Sequence, residues 1–120
     1  MMKKALLILT FTVILMSAMP LNAQDPVEVA PEMYKILFEN DQVRILDLNV
    51  EAGSKIPEHS HPNHFVYALT DGALSITKNG VTEELQANEG QVIWLNAATH
   101  STVNTGTTEF HGLVVELKEK

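Results

Sequence analysis

The sequence predicts an all-β domain of about eight short strands, and three observations carry that reading. From Tyr34 onward, short runs of β-branched and aromatic residues are broken by turn residues about every 8–12 positions. Asn79-Gly80 is the strongest two-residue hairpin signal in the chain, because a type I′ turn needs positive φ at both central positions. No segment keeps an apolar face at helical spacing, apart from one turn's worth between Met33 and Phe38.

The elements follow in chain order. Residues 1–23, MMKKALLILTFTVILMSAMPLNA, have a basic start at Lys3 and Lys4, an uncharged apolar run from Ala5 to Met16, and small residues leading to Ala23. That is the three-part pattern of a secretory signal peptide. As a membrane anchor it falls short of the ~20 residues a bilayer needs and is broken at Pro20. The expectation is therefore a cleaved signal and a periplasmic or secreted protein, with no membrane attachment after cleavage.

Residues 24–33 carry two prolines and three acids and read as an extended leader, fit to lie along a sheet edge or a second subunit. Residues 34–120 form the folded domain. Its expected strands are Val43 to Val50, Ile56 to His61, Phe65 to Leu69, Leu74 to Thr77, Val81 to Leu85, Gln91 to Leu95, His100 to Asn104 and Glu109 to Leu117.

Composition narrows the function. Fifteen Asp+Glu stand against eight Lys+Arg, a net charge of −7, which argues against a nucleic-acid partner. The absence of Cys excludes disulfides, thiolate zinc sites and iron–sulfur clusters. Removing residues 1–23 takes Lys3 and Lys4 with it, so the mature chain is smaller and more acidic still. A secreted domain of this size without disulfides needs a closed core, a metal or a second subunit.

All five histidines lie in the mature chain: His59, His61, His64, His100 and His111. Three of them fall in the run HSHPNH. Residues two apart on a strand point to the same face, so His59 and His61 make half of a metal site. The Pro62-Asn63 turn can return His64 toward the same centre, and His100 supplies an imidazole from a distant strand. Imidazole ligands suit Fe, Zn, Mn, Ni or Cu, and a site with open positions can bind a substrate oxygen or activate water.

With these residues in view the chain resembles a small single-domain member of the cupin superfamily, over about Met33 to Lys118. The first family motif corresponds to GSKIPEHSHPNHFVYALTDG, where Gly53, His59, His61 and Gly72 match. The second corresponds to GQVIWLNAATHSTVN, where Gly90, His100 and Asn104 match, with His100 one residue early. The Glu that family members carry after the second His is missing. Counting back from Gly72 places Phe65 there and leaves three His; aligning on Tyr67 places His64 there, and this second alignment is favoured because it accounts for the third His. Asn96 and Ala98 replace the Pro and Gly of the second motif.

The resemblance implies a double-stranded β-helix, the cupin jelly-roll barrel, holding a divalent metal near one mouth through His59, His61, His64 and His100. It also implies a homodimer and a small-molecule ligand. The run HSHPNHFVYALTDGALSI and the end GLVVELK look most like small bacterial cupins of the kind named for β-alanine degradation. Three functions remain open: a metal-dependent oxidoreductase or isomerase, dioxygenase-like, acting on a small oxygenated substrate; a non-catalytic metal or small-molecule binding module; and a structural dimer in which the site staples a small fold.

Candidate substrate contacts are His111, Tyr67 and Gln91. His111 shares parity with Leu113, Val115 and Leu117, which directs it toward the core or the barrel mouth. Trp94 either lines a pocket or packs. Glu58 has the opposite parity to His59 and reads as solvated. Glu116 reads as part of a solvated charged face.

Overall fold

The structure is a computed structural model and describes residues 24–119. The expected signal peptide lies outside the described residues. One helical turn, α1 (Pro26–Val29), precedes nine strands: β1 (Tyr34–Glu39), β2 (Val43–Val50), β3 (Lys55–His61), β4 (His64–Ala68), β5 (Gly72–Lys78), β6 (Val81–Ala87), β7 (Val92–Leu95), β8 (Ala98–Asn104) and β9 (Phe110–Leu117). They form two sheets, ordered β1-β2-β9-β4-β7 and β3-β8-β5-β6, with every neighbouring pair antiparallel. The last strand thus lies at the centre of the larger sheet, between β2 and β4.

The chain departs from expectation at its start. Residues 34–39 are a strand rather than a helical turn, and the helical turn lies earlier, within the segment read as an extended leader. Pro26 occupies the start of α1, where its missing N–H costs nothing, and Asp25 caps the turn by accepting from the Val27 N–H at 2.9 Å. α1 packs against β3 and β1 and buries Pro26. The apolar run Ile36-Leu37-Phe38 in β1 has neither period, and it forms an edge strand with a bulge between Ile36 and Phe38. The Asn79-Gly80 turn is as expected, with φ of 51° and 76°.

The core lies between the two sheets, where alternate residues point inward: Leu46, Leu48 and Val50 from β2, Phe110 and Val114 from β9, Val66 from β4 and Leu74 from β5. Phe110 is the largest wholly buried side chain, and two glycines make room for it. A Cβ at Gly72 would come within 2.6 Å of the Phe110 ring, and one at Gly112 within 3.0 Å. Asn104 is buried at the strand end, where its Nδ2 donates to the Val50 and Thr108 carbonyls at 2.9 Å each.

The inward parity of β9 is the reverse of the expected one. Phe110, Gly112, Val114 and Glu116 face the interior, and His111 lies on the outer face with Leu113, Val115 and Leu117. Both parities of β9 carry apolar residues, so alternation alone does not choose between them, and a slip of one residue exchanges the faces. Phe110→Ala should destabilise the domain by about 3–5 kcal/mol in urea unfolding. A loss below about 1 kcal/mol would show that the ring does not hold the two sheets together.

Candidate metal centre

The site begins with a break in the regular pleat of β3. Ile56 faces inward, and a bulge between Ile56 and His59 then shifts the parity by one residue. Pro57, which has no N–H to lose from the ladder, sits in that bulge. His59 and His61 therefore turn into the interior, with Ser60 between them pointing away. In the neighbouring strand β8, His100 lies directly across from His59. His64 opens β4 on the opposite sheet and is wholly buried.

The four rings form one cluster. Ring centroids lie 4.8 Å apart for His59–His61, 4.8 Å for His59–His100, and 5.4 Å for His61–His100. One ring nitrogen from each of His59, His61 and His100 lies within 4.8 Å of the other two. His64 stacks on His61, with centroids 4.3 Å apart and planes 25° from parallel. Imidazole lone pairs lie in the ring plane, so two stacked rings do not converge on one point as the edge-to-face rings of His59, His61 and His100 can. The converging group holds three residues, and His64 borders it.

Hydrogen bonds set the tautomers. His59 Nδ1 is 2.7 Å from the Pro57 carbonyl, His61 Nδ1 is 2.6 Å from Glu116 Oε2, and His64 Nδ1 is 2.8 Å from the Pro62 carbonyl. Carbonyl and carboxylate oxygens only accept, so each ring donates from Nδ1, and in the neutral form its lone pair is then on Nε2. That is the arrangement a transition-metal site requires, and the donor set fits such an ion.

Glu116 is buried and uses both oxygens. Oε2 accepts from His61, and Oε1 accepts from Arg44 Nε at 2.7 Å. Arg44 in turn donates from both Nη atoms to Asp25, at 2.8 and 3.0 Å. A continuous chain of charged groups therefore runs from the cap of α1 to a ring in the cluster. Tyr34, buried at the start of β1, places its hydroxyl 3.4 Å from His59 Nε2. The remaining interior is nearly filled: a cavity of about 30 Å³, bordered by Tyr34, His61, His64, His100 and apolar residues, is the space beside the cluster.

No protein-family model and no curated protein sequence matches the chain. Solved structures do. A cupin domain from Bordetella pertussis Tohama I superposes with a TM-score of 0.68 at 20% identity, covering 72% of this chain and 93% of that one. An RmlC-like cupin with a double-stranded β-helix fold from Methanocaldococcus jannaschii gives 0.60 at 16% identity, covering 72% and 79%. The chain has the cupin fold. A predicted oxalate decarboxylase from Thermotoga maritima gives 0.55 at 22% identity, covering 72% and 79%.

Inside the cupin barrel three of the imidazoles, His59, His64 and His100, are held neutral. Burial lowers His59 and His64 from 6.5 to about 4. Burial again, then the neighbouring imidazoles and the Lys78 ammonium, lowers His100 to about 3. Glu116 moves the other way in charge: despite burial, its bonds to His61 and Arg44 hold its carboxyl below the ordinary value. Burial first, and the Glu116 charge second, raise the Tyr34 phenol, which stays protonated.

The three expected substrate contacts lie outside the barrel. His111 Nε2 bonds to Asp47 Oδ1 at 2.6 Å on the outer face of the large sheet. Tyr67 is exposed on the outer face of β4, and Gln91 is exposed and accepts from the Asn88 N–H at 3.0 Å to close a turn. Strand parity explains His111 and Tyr67, since the inward neighbours of Tyr67 are Val66 and Ala68, and Gln91 lies in the turn before β7. Glu58 is exposed, as its parity implied. Glu116, expected on a solvated charged face, is instead buried because the inward parity of β9 is the opposite one, and Tyr34 and Arg44 had no role expected from the sequence. The available signal for Glu116 was its parity with Phe110 and Val114.

Two outcomes follow. Protein stripped of metal should lose thermal stability as pH falls from about 6.5 toward 4, because unfolded imidazoles take up protons that the folded rings refuse. Melting curves over that range, with chelator present, check the sign, and a flat profile would contradict the neutral cluster. Glu116→Gln should weaken metal binding about 10–100-fold in a chelator competition, since the amide keeps the shape of the carboxylate but not the charge that makes His61 a better ligand.

Proposed function

We propose that this chain is a metal-dependent protein in which His59, His61 and His100 hold a divalent transition metal through their Nε2 atoms. The carrying observation is the convergence of those three rings with Nδ1 of His59 and His61 already bonded to acceptors. Three imidazoles leave coordination positions open, and the ion when bound supplies Lewis-acid or redox chemistry toward a small oxygenated ligand. Around it the chain contributes a phenol donor at Tyr34, a neutral acceptor at His64, and an interior that admits little besides water-sized molecules. A dioxygenase-like oxidation or an isomerisation is the activity proposed, on a substrate that approaches from the barrel mouth.

A second reading, a metal-binding or sensing module without turnover, draws support from the small interior cavity. The proposal also includes secretion, on the strength of the signal-like residues 1–23, and a homodimer. The dimer is supported by the edge strand β1, where Ile36, Leu37 and Phe38 are about half exposed.

The test is metal analysis of the purified mature protein. Near-stoichiometric metal is expected in the natural chain and in His64→Ala, and its loss in His100→Ala. Natural protein that takes up no divalent ion would sink the reading. Oxygen uptake with candidate small substrates then separates the enzyme from the binding module.

A further inference from the structure

A second space, far larger than the interior cavity, meets the histidine cluster from outside. It is a cleft of about 490 Å³ between the β5–β6 hairpin and the segment joining β7 to β8, within the size range of small-molecule sites, roughly 300–1,000 Å³. His100 borders both the cleft and the interior cavity, so the cleft reaches one of the three converging rings.

Three side chains give the cleft its chemistry. β5 pairs with β8 up to Thr77 and Ser101, which places Lys78 beside His100 at the next register position. Lys78 lines the cleft and has no ion-pair partner among the described residues. In a chain that carries −7, this ammonium gives the cleft one point at which an anionic group can be held. Trp94 is 52% exposed on the cleft wall, with its indole N–H held by Asn96 Oδ1 at 2.9 Å. A half-exposed indole fixed by a hydrogen bond offers a flat apolar surface at little entropic cost. Glu83, across from Ile76 on the same hairpin, also lines the cleft and has no ion-pair partner among the described residues.

We propose that this cleft recognises a small monocarboxylic acid with an apolar body, its carboxylate on the Lys78 ammonium and its body against Trp94. The inference rests on the metal-dependent reading above and gives the substrate class that this centre would act on. Lys78 supplies one positive charge, which a single carboxylate balances. Glu83 repels a second carboxylate, so the cleft discriminates against dianions of the same size. The acid bound there lies beside His100, on the path to the metal ligands.

Trp94 is the only tryptophan in the chain, so its emission reports on the cleft directly. The experiment titrates metal-loaded protein with benzoate, with its uncharged isostere benzamide, and with phthalate as the dianion, and repeats each titration by calorimetry. Benzoate is expected to shift the emission saturably and to bind about tenfold more tightly than benzamide or phthalate. Lys78→Gln should reduce benzoate to the level of benzamide with metal content unchanged, and Glu83→Gln should improve phthalate about tenfold. Equal binding of benzoate and benzamide, or full benzoate affinity in Lys78→Gln, would overturn the proposal. So would loaded protein that binds no benzoate by either method, and the metal reading would survive that result. Charge-selective binding in a protein that takes up no metal would have the opposite effect, retaining the carboxylate cleft and removing the metal reading.

Discussion

The carboxylate of Glu116 is the contact on which the interior depends. A buried carboxylate is costly unless both oxygens are bonded, and here one meets Arg44 and the other His61. The guanidinium is itself half-satisfied by Glu116 and completed by Asp25, so no member of the chain is left with an unmet charge. Removing Arg44 or His61 would leave one oxygen of the buried Glu116 unbonded, where an unpaired charge costs far more than the pair contributes. The group that results is an oriented imidazole at the centre of a packed barrel.

Topology makes that contact possible. The final strand inserts between β2 and β4, and in this register Glu116 stands directly between Arg44 on one side and His64 on the other. Residues 72 positions apart in sequence thereby form an ion pair. The small sheet does the same for the imidazoles by pairing β3 with β8, which sets His59 opposite His100. Each sheet therefore contributes one arm of the centre, and Tyr34 closes it from the first strand. The apolar core, with Phe110 seated on Gly72 and Gly112, keeps the two arms at a constant separation.

Burial without protonation is the second constraint. Four imidazoles inside one barrel would repel one another if charged, and burial already disfavours the charged form. Burial keeps His59 and His64 neutral, and the backbone carbonyls of Pro57 and Pro62 fix their tautomer and orientation. In both cases the acceptor lies two residues before the histidine, on a proline whose own nitrogen cannot donate. These two rings are thus neutral and oriented with Nε2 as the acceptor before any ligand arrives, which limits the reorganisation that metal binding would require.

Sequence by itself determined the strand rhythm, the Asn79-Gly80 turn, the absence of thiolate chemistry and the histidines as the chemical centre. These are local properties: side-chain type, dihedral preference, and spacing along one strand. It also brought His59, His61 and His100 together through a family resemblance that the structural neighbours support as a fold. Tertiary structure alone decided which face of β9 is inside, and with it the outward place of His111 and the buried place of Glu116. It also decided the bulge at Pro57 that aims His59 inward, and the stacking of His64 on His61 instead of convergence with the other three. A period of two fixes which residues share a face but not which face meets the core when both are apolar, and one inserted residue in a bulge reverses the answer. That choice belongs to the packing of the two sheets, which no single strand contains.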